Sequence, residues 1–124
     1  MASKRILIAD DEPDVLAILE KKLKANGFEV LALSKGKEII AQVKTFKPDL
    51  IISDIVMPDM DGYAVGITLR ADDATKKTPI IFMTGKELEF SGMQKRAQDL
   101  GFCGIINKPC TFEELLVKVK EAIG

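Results

Sequence analysis

Three carboxylates, a hydroxyl and an ammonium stand out because each follows an apolar run: Asp10 and Asp11 after ILIA, Asp54 after LIIS, Thr84 after IIFM and Lys108 after IIN. Brought to one edge of a sheet, the acids would repel one another unless a divalent cation sat among them. With such a cation the group becomes a place to receive a phosphoryl group. Magnesium prefers oxygen ligands, takes one or two protein carboxylates and leaves positions for water and phosphate oxygens, so Asp10, Asp11 and Asp54, with the main-chain carbonyl of Val56, suit it. Zinc would favour sulfur or imidazole. DIVMPDMDG does not fit a calcium loop of the EF-hand kind.

Each residue also has a plainer use on its own. Asp11 fits a helix cap, Asp54 a turn before Met57-Pro58, Thr84-Gly85 the end of a strand, and Lys108 an exposed turn before Pro109. What sets them apart is that all fall on the same edge. Asp72-Asp73 serves as an internal control: the pair follows a helix, precedes lysines, has no apolar strand before it and reads as a solvated loop.

The elements that must position these groups follow from apolar periodicity. β-branched and other apolar runs alternate with amphipathic stretches over the whole length, the pattern of βα units around a parallel sheet. Strands are expected near 5–10, 28–33, 49–53, 79–83 and 103–106, with five helices between and after them. The first helix starts where Asp11 or Glu12 caps it and Pro13 opens it. It carries Val15, Leu16, Ile18, Leu19 and Leu23 on one side and ends at Asn26-Gly27. The second covers about 36–46, with Ile39, Ile40, Val43 and Phe46 inward, and stops before Pro48. The third covers about 62–71 and leads into the polar connection RADDATKKT. The fourth covers about 90–100, and the fifth opens at Thr111 on a capping box with Glu114. For five such units the common order 2-1-3-4-5 sets strands one and three side by side, where the winding reverses. Ligands of open parallel sheets bind there, beyond the strands' carboxyl ends.

Bulk properties narrow the function. A chain of 124 residues, 47% apolar and 30% charged, implies one soluble domain, 1–124. No apolar run approaches the roughly 20 residues of a membrane span, and MASKRILIAD lacks the apolar core of a secretory signal, so a cytoplasmic location is expected. A net charge of −1 with dispersed lysines offers no basic stripe for nucleic acid. Cys103 and Cys110 lack metal or disulfide spacing and are read as reduced thiols. The chain contains no histidine, which removes imidazole ligands and internal phosphohistidine relays.

Asp10-Asp11, Asp54 with Met57-Pro58 and Asp61-Gly62, Thr84-Gly85 and Lys108-Pro109 resemble the motifs of the receiver domain of two-component response regulators, a CheY-like, flavodoxin-like α/β fold. The resemblance covers essentially the whole chain. It implies that Asp54 accepts a phosphoryl group from a partner histidine kinase or histidine phosphotransfer protein. Asp10 and Asp11 then hold Mg2+ with the Val56 carbonyl, Lys108 pairs with a phosphoryl oxygen, Thr84 swings its hydroxyl to it, and Lys108-Pro109 is cis. The output would be a changed surface around the fourth helix, fifth strand and fifth helix, read by a downstream protein as monomer or phosphorylation-dependent homodimer. Such a protein is a signalling domain rather than an enzyme, acting only on its own phosphorylation and dephosphorylation.

Three residues depart from the family pattern: Ile105 where an aromatic is frequent, Gly85 where alanine is common, and Cys110 where phenylalanine is usual. The alternatives are a receiver belonging to a longer regulator or hybrid kinase, a flavin binder, whose phosphate DDEP would repel, and a magnesium-dependent aspartyl phosphohydrolase. The last usually has a second acid two residues after its nucleophile, where this chain has Val56.

Overall fold

The computed structural model describes residues 3–54, 62–84, 104–107 and 111–123. Five strands, β1 (Arg5–Ala9), β2 (Glu29–Leu33), β3 (Leu50–Asp54), β4 (Ile80–Thr84) and β5 (Gly104–Asn107), form one parallel sheet in the order β2-β1-β3-β4-β5. The helices described are α1 (Pro13–Ala25), α2 (Gly36–Phe46), α3 (Gly62–Arg70) and α4 (Phe112–Ile123). The expected helix over 90–100 lies outside the described residues, so α4 is the helix expected as fifth. Every expected strand is present within about a residue of its expected bounds.

Alternation along the strands divides the core in two. Leu7, Ala9, Leu33, Ile51, Ile80 and Phe82 meet α2 and α3 through Ile39, Val43, Val65 and Leu69. Ile6, Ile8, Leu50, Ile52, Ile81, Met83 and Ile106 meet α1 and α4 through Leu19, Leu23, Leu115 and Val119. A sheet covered on both faces needs unbroken apolar strands, which is why RILIA and LIIS show no polar alternation. The arrangement is the doubly wound one.

The helix ends hold both confirmations and corrections. Gly27, at φ 91°, closes α1: its N–H donates to Lys24 O at 3.0 Å and that of Phe28 to Leu23 O at 3.2 Å, the paired bonds of a Schellman stop. At α4, Glu114 N–H donates to Thr111 Oγ1 at 3.1 Å and Thr111 N–H to Glu114 Oε1 at 3.3 Å, the expected capping box. The start of α1 differs from expectation. The N-cap residue Glu12 makes no side-chain cap, and the Glu12 N–H donates instead to Asp10 Oδ1 at 2.9 Å, so the polar group serving this turn comes from two residues upstream. Ile18 is also misplaced by sequence reading. It lies about 100° round the helix from Leu19 and is 54% exposed, while Val15, Leu16, Leu19 and Leu23 face the core.

Residues 71–77 are more ordered than a solvated connection. Thr75 is buried and its hydroxyl donates to Leu69 O at 2.6 Å, tying the turn to the end of α3. Asp73 is open to solvent, as expected, but Asp72 pairs with Lys44 of α2 at 2.7 Å and accepts the Ala74 N–H at 2.9 Å. These bonds, the Lys44 contact foremost, hold the Asp72 carboxyl below its ordinary range.

Candidate functional site

The sheet's carboxyl edge collects the residues singled out by type. Asp10 directly follows β1, and its N–H donates to Leu33 O at 3.1 Å, fixing its backbone to the end of β2. Asp54 is the last residue of β3. Because Ala9 pairs with Ser53, the next step along both strands sets Asp10 beside Asp54. Adjacent strands lie roughly 4.8 Å apart, so the two acids are neighbours on adjoining strand ends. Both are buried, Asp10 at 0% and Asp54 at 7% exposure. Two acids buried side by side favour any arrangement that brings positive charge to this edge.

The register carries the edge onward. Met83 pairs with Asp54, so Thr84, the last residue of β4, stands one step beyond it, opposite Asn107 of β5. Lys108 is the next residue of the chain, outside the described residues, as are Val56, the Met57-Pro58 and Asp61 positions, Gly85, Pro109, Cys103 and Cys110. Of the expected site, Asp10, Asp11, Asp54 and the backbone position of Thr84 are therefore placed.

One acid was missed from sequence. Carboxylate oxygens of Asp10, Asp11 and Glu12 all lie within 4.8 Å of one another, with Asp11 and Glu12 exposed. By sequence Glu12 reads only as a helix cap. Its signal is the tight turn in which Asp10 accepts the Glu12 N–H, which folds the third acid back toward the first. Asp54 is not one of the three so grouped. An octahedral magnesium ion with ligands at 2.0–2.1 Å would set neighbouring oxygens about 3 Å apart and opposed ones about 4.2 Å apart. The spread of this all-oxygen set is within reach of that geometry by rotation of exposed side chains, so the residues fit a small hard cation.

Ile105 pairs with Phe82 in register and packs, partly buried, against the core on the α2 and α3 side. A branched aliphatic fills this position.

Fold and edge together define a class: doubly wound parallel sheets with buried acids at the β1/β3 switch point, where such sheets bind their ligands. The chain belongs to the response regulator receiver domain family, whose model matches residues 6–120. It is 34% identical over 119 residues to the protein PilH of Pseudomonas aeruginosa, covering 96% of each chain. It is 33% identical over 118 residues to the alkaline phosphatase synthesis transcriptional regulatory protein PhoP of Bacillus subtilis, covering 95% of this chain and 48% of that protein. The chain thus spans about half the length of several curated relatives it matches. Among solved structures, a chemotaxis response regulator of Vibrio cholerae superposes with a TM-score of 0.89 at 26% identity, covering 98% of this chain and all of that one.

Proposed function

We propose that Asp54 is the phosphoacceptor and that residues 1–124 act as one receiver unit. The observation that carries this is the register that sets buried Asp10 beside buried Asp54 at the reversal of winding. A carboxylate oxygen of Asp54 attacks the phosphorus of a phosphohistidine on a kinase or histidine phosphotransfer protein. The O–P bond forms as the N–P bond breaks, and the imidazole leaves with the electron pair and takes up a proton. No histidine is present in this chain, which agrees with a donor supplied in trans.

Asp10 and Asp11, with the carbonyl of Val56 and Asp54 itself, are the proposed holders of Mg2+, and Glu12 stands close enough to join through water. Bound magnesium supplies neutralisation of the charge on the phosphoryl oxygens. Asp10 does double duty, since its Oδ1 also organises the first turn of α1. Lys108 is assigned to a phosphoryl oxygen and Thr84 to a hydroxyl contact with the product. Hydrolysis by water attack on phosphorus returns Asp54 and inorganic phosphate, so the chain turns over only its own phosphoryl group.

Turning a carboxylate of charge about −1 into an acyl phosphate of about −1.5 to −2 at a buried strand end is enough to bias two packings a few kcal/mol apart. The readout we assign is the surface of the helix expected over 90–100, β5 and α4, offered to a downstream protein as monomer or phosphorylation-dependent homodimer. Ile105 has no ring, so this readout does not rest on an aromatic at that position. No described helix is long and apolar enough to cross a membrane, and a cytoplasmic setting matches a kinase donor. The test is intact-mass spectrometry after incubation with magnesium and acetyl phosphate. One phosphate adds to the wild type, and none adds to Asp54→Ala or in excess EDTA. Equal modification of Asp54→Ala would overturn the reading.

A further inference from the structure

Ser53 is the odd side chain of the central strand. It lies on β3 between Ala9 of β1 and Phe82 of β4, 2% exposed and on the face of the sheet that carries the apolar core cluster of Leu7, Ala9, Ile51 and Phe82. A hydroxyl buried there must find an acceptor. It donates to the main-chain oxygen of Asp54 at 2.9 Å. Successive strand residues point to opposite faces of a sheet, so the Ser53 hydroxyl acts on the Asp54 peptide and not on a phosphoryl group carried by the Asp54 side chain.

Holding that oxygen fixes the plane of the peptide by which the chain leaves β3. That peptide is anchored on the Asp54 Cα, the atom that also bears the attacking side chain, so the bond steadies the end of β3 from which the carboxylate projects. We infer that Ser53 is a positioning residue for phosphoryl acceptance, its hydroxyl setting the Asp54 peptide from which the attacking carboxylate projects. The inference rests on the reading of Asp54 as acceptor. In-line attack is sensitive to misplacement, and an error of 1 Å costs on the order of 10²-fold in rate. Loss of one hydrogen bond to the backbone, with the strand otherwise intact, shifts the carboxylate by less and lowers the rate by roughly tenfold.

The experiment compares wild type, Ser53→Ala, Ser53→Cys, Ser53→Thr and Asp54→Ala with acetyl phosphate and magnesium. It reads the limiting phosphorylation rate, the donor concentration at half-maximal rate and the melting temperature. Ser53→Ala and Ser53→Cys lose roughly tenfold in limiting rate with half-saturation unchanged, and Ser53→Thr, which keeps the hydroxyl, recovers most of the loss. Cysteine nearly matches serine in volume but donates weakly, so it carries the test if the alanine variant unfolds. Wild-type rates in Ser53→Ala or Ser53→Cys, or a threonine variant as slow as alanine, overturn the inference while leaving Asp54 as acceptor. Modification of Asp54→Ala, or none of the wild type, overturns the acceptor reading and this inference with it.

Discussion

Lys47 ends α2 in the left-handed region, at φ 54° and ψ 62°, the one non-glycine residue with positive φ among the described residues. An L-residue there costs roughly 1–2 kcal/mol, and Pro48 adds its own pressure on the preceding residue toward extended backbone. Lys47→Gly removes the Cβ clash but loosens the unfolded chain, which takes back about 0.4–1 kcal/mol. The net gain is about 0.5–1 kcal/mol, equal to a rise of roughly 2–5 °C in Tm for a domain of this size. Lys47→Ala is the control, since it removes the same ammonium and retains the Cβ. Urea denaturation followed by circular dichroism should show a higher midpoint for the glycine variant than for either wild type or alanine, at unchanged m. The residue sits before β3, at the end of the sheet opposite Asp54, so phosphorylation by acetyl phosphate should proceed at the wild-type rate in both variants. A glycine variant no more stable than the alanine variant would refute the strain argument.

Further outcomes are expected. Thr75→Val leaves Leu69 O with only the longer Asp72 N–H at 3.3 Å and should cost about 1 kcal/mol, read as a lower urea midpoint. Phe82→Ala, emptying a site 1% exposed, should cost about 3–5 kcal/mol, which a thermal scan will resolve. The Asp72 carboxyl is held below its ordinary range by Lys44, so its stabilising contribution is complete above the unfolded-state value of about 4 and lost as pH falls through the lower folded value. The Tm gap between wild type and Asp72→Asn should therefore be steady from pH 7 to 5 and close at more acid pH. Magnesium at ten times its Kd should stabilise the wild type by about 1.4 kcal/mol, and Asp11→Asn should gain less at the same concentration in a thermal-shift titration.

The sheet order, strand limits and acidic edge were legible because a doubly covered parallel sheet writes itself as apolar runs, and because each run here ends at a polar residue. The Schellman stop at Gly27 and the box at Thr111 were legible for a similar reason, since cap chemistry is local. What escaped depends on three-dimensional neighbours. Ile18 is apolar yet points outward, a difference of one residue that is a third of a helical turn. Asp72 acquires Lys44 from another helix, 28 positions earlier in the chain, and no local pattern announces that partner. Glu12 looked like a cap because caps precede helices. Its carboxylate instead joins those of Asp10 and Asp11 because the Asp10 side chain takes the Glu12 N–H. Ser53 gave no signal from sequence, being a small polar residue in an apolar strand, until its hydroxyl was seen on Asp54 O.

The central claim is that the carboxylate ending β3 forms the acyl phosphate. Borohydride reduces an aspartyl phosphate to the corresponding alcohol, so the protein treated with acetyl phosphate and magnesium can be reduced, digested and mapped by peptide mass spectrometry. Conversion confined to position 54 is the result predicted here. Conversion at Asp10 or Asp11, or a phosphorylated protein with Asp54 intact, would contradict it.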